Sequence, residues 1–309
     1  MDKGSNPALC DALLQRDDRG KVREALAAGA DANCPCAIGG GSIANPLMPR
    51  RGARIEVDSG LARPLFTAID WVGDDEVVSL LLDAGADASL EQHGATPVAW
   101  VAVRGPVDTG ERLAMLDALY AHGATAKGVD LADVEAFALV ESLASHGADP
   151  KTISLGACSE AGNIARAVEL GADFSDEAPG LELVSVSDAD WSALFAGGFR
   201  VNAPGLFGTL LIQAVEVRPG RIADLLDRGA DPNLAHDGVT PLCEATVSWS
   251  EADASHVALL GARGADPSVK CTAIGGDAAT ARELALAEKG RDRRTGRVLA
   301  ALEELEDAP

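Results

Sequence analysis

The chain has 309 residues, 47% hydrophobic and 24% charged, enough apolar material for a sizeable core and too much for a disordered chain. Aromatics make up only 4%, so small aliphatic side chains must fill that core, which suits thin layers of short helices. Lys and Arg number 26 against 48 Asp and Glu, a net charge of −22 that repels phosphate backbones and anionic lipid and excludes direct nucleic-acid or membrane binding as the main role.

The N-terminal MDKGSNPALCDALLQRDD has no apolar stretch of leader length, and nowhere do 18 apolar residues run together. Neither a leader nor a spanning helix is expected. Cys10, Cys34, Cys36, Cys158, Cys243 and Cys271 are too scattered for the disulfide framework of a small secreted domain. They are expected to be reduced thiols in a cytoplasm.

Taken in chain order, one phrase keeps returning: ALAAGADAN (25–33), LLLDAGADAS (80–89), ALYAHGATAK (118–127), SLASHGADPK (142–151), AVELGADFS (167–175), ALFAGGFRVN (193–202), DLLDRGADPN (224–233) and ALLGARGADPS (258–268). Its glycines are Gly29, Gly85, Gly123, Gly147, Gly171, Gly198, Gly229 and Gly264, spaced by 56, 38, 24, 24, 27, 31 and 35 residues. The chemistry is that of a helix ending. Aliphatic residues recur at helical spacing, a glycine takes the left-handed position that penalises a Cβ, and Asp, Asn or Pro then turns the chain. Upstream lies a helix start, Gly94-Ala95-Thr96-Pro97 and Gly238-Val239-Thr240-Pro241, with Thr as cap and Pro in the first turn. Arg63-Pro64-Leu65, Thr209-Leu210-Leu211 and Thr280-Ala281 are weaker copies.

A unit reading turn, Thr-Pro, short helix, loop, second helix, Gly-Ala-Asp resembles the ankyrin repeat, from about Asn6 to Leu305. The resemblance is strong over 64–96 and 208–266. It weakens over 124–200, where the spacing falls short of the family's roughly 33 residues. There the second helix is expected to survive (134–145, 163–170 and 188–196) behind a shortened turn. The implied fold is all-α: a helical solenoid of about eight helix-pair repeats in one continuous array over 1–309, plus a C-terminal capping helix in a cap over 278–309. Each pair must stack on its neighbours to bury an apolar face, with Val77, Leu80 and Leu81 forming one stripe and Ile222, Leu225 and Leu226 another. In the last helix, arginines come early and Glu303, Glu304 and Glu306 late, opposite to the helix dipole, so tertiary partners are expected.

Between the first two repeats lies a long insert, 32–63, rich in Gly and Pro and expected to be irregular. Arg50, Arg51, Arg54 and Arg63 face only Glu56 and Asp58, a local excess of +2 on an acidic protein. Contact with a partner, packing on the array and plain mobility all remain open for it. Cys34-Pro35-Cys36 lacks the spacing and nearby histidines of a zinc site. Gly39-Gly40-Gly41-Ser42 lacks the Lys of a phosphate loop. It reads as a flexible turn.

No catalytic constellation, metal site or cofactor motif stands out, so a non-enzyme without cofactors is expected. His122 and His146 precede the Gly of a helix ending, His93 and His236 lie in turns, and His256 sits near a helix start. Asp17-Asp18 and Asp74-Asp75 belong to solvated turns between helices.

The family resemblance places partner contacts on the turn residues and late in the first helix of each pair. Carried over, these are Gln92, His93, Ala95, Val103 and Arg104; His236, Asp237, Val239, Val247 and Ser248; and Asp70 and Trp71. Trp71 is the foremost, because exposed Trp is enriched at binding hot spots. Trp100, Trp191 and Trp249 read as core. The expected role is a cytoplasmic protein-binding scaffold, with a monomer expected. Only 6 of the 26 basic residues are Lys, which points to a GC-rich bacterial genome. In bacteria such chains are similar to immunity proteins that neutralise a toxic enzyme, and a charge of −22 suits a basic partner. An accessory enzyme subunit, a host-directed effector and an enzyme with an unrecognised site are the alternatives.

Overall fold

A computed structural model describes residues 5–15, 19–37, 41–44, 54–57, 61–104, 108–180, 183–247, 250–272, 278–287 and 294–307. Two compact units divide it, Met1–Ala172 and Asp173–Pro309. Both are helical, and the described strands pair only as two-stranded hairpins.

The first unit begins with α1 (Ser5–Leu14) and α2 (Arg19–Ala27). The insert follows as β1 (Cys36–Ala37), β2 (Gly41–Ala44), β3 (Arg54–Val57) and β4 (Leu61–Ala62). Then come α3 (Pro64–Thr67), running into a π turn over Ala68–Val72, α4 (Asp75–Asp83), α5 (Pro97–Arg104) and α6 (Thr109–Ala121). The unit ends with α7 (Phe137–Ser145), 3₁₀ turns at Pro150–Thr152 and Leu155–Ala157, and α8 (Asn163–Leu170). The second unit has a 3₁₀ turn at Leu183–Ser185, α9 (Asp188–Ala196), α10 (Leu210–Val217), α11 (Ile222–Asp227), α12 (Pro241–Glu244) and α13 (Ala254–Ala262). It closes with β5 (Lys270–Thr272), β6 (Ala278–Thr280), α14 (Ala281–Ala287) and α15 (Arg294–Glu306).

The helix boundaries follow from local chemistry. All eight phase glycines have positive φ, between 85° and 108°, the region where a side chain is penalised. At α12, Thr240 Oγ1 accepts from the Cys243 amide at 3.3 Å while Pro241 opens the helix. Asp74 is no idle member of a solvated pair: its carboxylate caps α4, accepting from the Glu76 amide at 2.9 Å. In α4 the buried face is Val77, Val78, Leu81 and Leu82, with Leu80 only half-buried. The helical period puts 77, 78, 81 and 82 on one side and turns 80 away. Removing a fully buried side chain such as Leu81 costs about 2–5 kcal/mol. Successive first helices meet through Phe66 and Trp100, edge to face at 5.2 Å.

In three of the loops an asparagine ties the loop to the next. Asn33 donates to the Gly85 carbonyl and accepts from the Asp87 amide, both at 2.8 Å. Asn202 bridges Gly229 and Asp231 in the same way, and Asn233 bridges Gly264 and Asp266.

Four expectations need correction. The insert is paired rather than irregular: β1 runs antiparallel to β4 and β2 to β3 in one common register, Cys36 opposite Ala62 and Gly41 opposite Val57. Gly41 and Ser42 are strand residues, while Gly39 and Gly40 lie outside the described residues. In the compressed stretch it is the first helix as well as the turn that is lost. Too few residues separate the Gly of one ending from the next second helix, and only the 3₁₀ turns remain. The C-terminal cap is itself a helix pair, opened by the β5–β6 hairpin. Its charges have tertiary partners: the Arg294 guanidinium donates to the carbonyls of Ser250, Ala252 and Val247, and Arg282 pairs with Glu303 at 2.9 Å.

The fourth correction concerns the cysteines. Cys10 is bonded to Cys36 and Cys243 to Cys271, with Cα separations of 5.3 and 6.5 Å, leaving Cys34 and Cys158 as thiols outside these bonds. Scatter along the sequence was a poor guide because stacked repeats bring residues 26 and 28 positions apart together.

Candidate protein interface

The candidate surface is built from the turns that precede first helices. In two of them the bridging residues exchange both backbone hydrogen bonds: Gln92 with Ala95 (2.9 and 3.1 Å) and His236 with Val239 (3.0 and 2.9 Å). The central residues, His93-Gly94 and Asp237-Gly238, all have positive φ, the geometry of a tight two-residue hairpin loop. Asp tolerates it and Gly needs it. A Cβ on Gly238 would come within 2.6 Å of Thr272 Oγ1. Neighbouring tips touch there, and the Thr272 amide donates to the Gly238 carbonyl at 2.9 Å.

A tight hairpin loop, a Thr-Pro-capped first helix, a second helix ended by left-handed Gly, and an asparagine bridge to the next unit recur together. The fold is the ankyrin-repeat fold. No family model matches the sequence, and no curated protein matches it either. Among solved structures the chain is similar to the human ASB11 ankyrin repeat domain, at 18% identity over 99% of both chains with a TM-score of 0.33. It is also similar to the ankyrin repeat domain of Bcl-3, at 19% identity over 96% of this chain and 97% of that one, with a TM-score of 0.31. A third is the Bdellovibrio bacteriovorus predatory endopeptidase Bd0816 in complex with immunity protein Bd3460, at 15% identity over 96% and 97%, with a TM-score of 0.27.

Within these ankyrin turns, the residues singled out from sequence fare differently. His93 and Asp237 are exposed at their tips, Asp237 with 90% of its side chain in solvent. Ala95 is buried and offers a partner nothing, because the bridging position turns its side chain inward. Gln92 is partly committed as well: its Oε1 accepts from the Arg63 amide at 2.9 Å. Val239, Val103 and Val247 are half-buried, and the Val247 carbonyl serves Arg294. Asp70 and Trp71 occupy the π turn that ends the first helix of their repeat; Asp70 is half-buried. Arg104 closes α5, and Arg54 stands opposite Ala44 in the insert hairpin. Ser248, Trp249, Arg50, Arg51 and Asp17-Asp18 lie outside the described residues. Trp100 and Trp191 are core residues, 2% exposed each. His122 and His146 close their helices through ring Nδ1 contacts to the carbonyls of Ala118 and Ser142, at 2.9 and 2.8 Å.

One turn carries a feature not singled out from sequence. Gly205 and Gly208 exchange both backbone hydrogen bonds at 3.3 Å, and between them stand Leu206, 82% exposed, and Phe207, 51% exposed. A Cβ on Gly205 would lie 2.3 Å from the Pro179 carbonyl oxygen, so the turn is seated against the preceding loop. The signal was readable: two large apolar residues between glycines, immediately before a Thr cap, are placed at a tip where the other turns carry His-Gly or Asp-Gly. Among the described residues no group of three or more His, Cys, Asp or Glu could hold a metal ion.

Proposed function

We propose that this chain is a non-catalytic scaffold that binds a protein with a basic face, in the manner of an immunity or inhibitor protein. The observation that supports this reading most is the Leu206–Phe207 tip. Large apolar side chains are costly to leave in water, about 1.5–3 kcal/mol each when fully exposed rather than buried. Elsewhere among the described residues only Leu286 stands comparably exposed. Set in a chain of charge −22, an apolar tip suits a pocket rimmed by Lys and Arg, with long-range attraction guiding encounter. No described helix is long and apolar enough to cross a membrane. The two disulfides remove the reason for placing the chain in a reducing cytoplasm, since such bonds persist in oxidising compartments.

The test is affinity capture with the native chain and with the double variant Leu206→Ser/Phe207→Ser as baits, followed by binding measurements on the purified captured protein. A basic protein retained by the native chain and lost by the variant is expected. Equal retention by both baits moves the interface away from this tip, and turnover of a substrate by the purified chain alone overturns the non-catalytic reading.

A further inference from the structure

The two disulfides occupy equivalent places in two different repeats. Cys10 and Cys243 each lie in a first helix, in the sequences Cys10-Asp11-Ala12 and Cys243-Glu244-Ala245. Their partners, Cys36 and Cys271, each lie on the first strand of the following turn, opposite Ala62 and Ala279. Counting back from the helix that follows, these are the positions filled by Gln92 and His236 in the tight turns, opposite Ala95 and Val239. The disulfides occur where the turn has been lengthened into a hairpin with named strands, 36–62 and 270–280. In the tight turn at 92–95 the same position ties backward with a hydrogen bond instead, from the Arg63 amide to Gln92. A two-stranded hairpin held mainly by its own pairing opens locally at little cost, so its root needs a stronger tie than a short turn does.

We infer that these bonds are one redox latch used twice: oxidised, each fixes the root of a long hairpin on the preceding repeat, and reduced, each frees its hairpin while the helix pairs stay folded. Closing a latch oxidises two thiols, which give up two protons and two electrons to a disulfide donor such as glutathione disulfide, itself reduced to two thiols. Opening it reverses the exchange: a reductant thiolate attacks one sulfur, a mixed disulfide forms, and a second thiolate displaces it. Cys36, Cys243 and Cys271 are buried whereas Cys10 is only half-buried, so the first latch opens at the lower reductant concentration. This device rests on the cysteine placement and is independent of the binding reading.

The experiment is hydrogen–deuterium exchange of the full chain, oxidised and then titrated with dithiothreitol, in a Cys34→Ser background that prevents exchange with the neighbouring free thiol. Amides of 36–37, 41–44, 54–57 and 61–62 should exchange at least about tenfold faster on reduction, followed at higher reductant by 270–272 and 278–280, while α6 stays protected and its exchange remains far slower than that of either hairpin. Cys10→Ser should release only the first hairpin and Cys243→Ser only the second. Peptide mapping under non-reducing conditions, after exposure of the native-sequence chain to oxidised glutathione, should find Cys10 bonded to Cys36 and Cys243 to Cys271, with Cys34 and Cys158 as thiols or glutathione adducts. Absence of these bonds from the map, unchanged exchange in both hairpins, or cooperative unfolding of the whole chain on reduction would each overturn the inference.

Discussion

The indole Nε1 of Trp191 donates to Oδ2 of Asp224, 33 residues away in the next repeat, at 2.5 Å. Arg221 lies over the same indole at 4.7 Å, and Arg228 Nε donates to the same carboxylate oxygen at 2.8 Å. A buried aromatic is thereby held between a largely buried cation stacked on its face, which itself pairs with Asp188 at 2.8 Å, and a carboxylate that also binds Arg228. Burial works against the Asp224 charge, but hydrogen bonds from Arg228 and Trp191 and the charges of Arg228 and Arg221 outweigh it and hold the carboxyl below its ordinary value.

The pH dependence follows from that direction. A carboxyl whose folded value is depressed contributes stability that is complete above the unfolded value, near 4, and is lost as pH falls through the lower folded value. Asp224→Ala should destabilise by about 1–3 kcal/mol at neutral pH, because it leaves the indole N–H without its acceptor. Asp224→Asn keeps an acceptor and should cost less, while flattening the loss of stability below about pH 4. Chemical denaturation at a series of pH values distinguishes the two, and an acid limb unchanged in Asp224→Asn would show that other carboxylates govern it.

The asparagine bridges make a second expectation. Asn233→Ala removes a donor to Gly264 and an acceptor for Asp266 at once, and should cost about 1–2 kcal/mol, the worth of two partly solvated hydrogen bonds. Asn233→Asp should keep the acceptor and lose the donor, giving an intermediate value. A denaturation midpoint unmoved by either variant would mean that water replaces both bonds without loss.

Much of this architecture was legible in the residues, for reasons that are local. Gly29 through Gly264 mark helix ends because a left-handed backbone tolerates little else, and Thr240-Pro241 marks a helix start because Thr caps while Pro needs no donor. These constraints act within four or five residues, the range over which sequence is most informative. What escaped was set by stacking. The disulfides depend on one repeat lying on the next. The pairing of 41–44 with 54–57 runs through a Gly-rich segment whose strand character shows only once its ends are held. On the candidate surface, His93 and Asp237 stand exposed at turn tips, whereas Ala95 is buried, because turn position alone does not say which way a bridging side chain points. The Leu206–Phe207 tip was passed over because the repeat there lacks its Pro.

The insert allows a third test, with a division that the sequence did not reveal. Replacing 38–60 by a two-residue Asn-Gly turn keeps Cys36 and the β1–β4 root, and should leave thermal stability nearly unchanged, since the removed strands pair mainly with each other. Replacing 34–60 removes Cys36 and with it the bond to Cys10. That variant should lose about 3–4 kcal/mol by the chain-entropy estimate for a loop of this length. Equal melting temperatures for the two replacements, measured under oxidising conditions, would show that the disulfide adds nothing to stability.

The last prediction concerns the partner and separates attraction at a distance from contact at the tip. Attraction between a chain of charge −22 and a basic surface acts before the two touch, so it belongs to the association rate. Raising ionic strength from about 0.02 to 0.5 M shortens the screening length from roughly 20 Å to 4–5 Å. Association should slow by at least about tenfold, with dissociation changing less. Phe207→Ser should act in the opposite sense. It leaves the net charge and the encounter rate alone, removes an apolar anchor, and should accelerate dissociation by about thirtyfold, equivalent to about 2 kcal/mol for a hot-spot residue. Trp71→Ala, measured beside it, shows whether the end of the first helix shares the load. The control is Trp191→Ala, which empties a core site and should lower stability by about 3–5 kcal/mol while leaving the folded fraction's affinity unchanged. Surface plasmon resonance over a salt series reads both rates. Association indifferent to salt defeats the electrostatic half, and dissociation unchanged in Phe207→Ser defeats the contact half, each independently of the other.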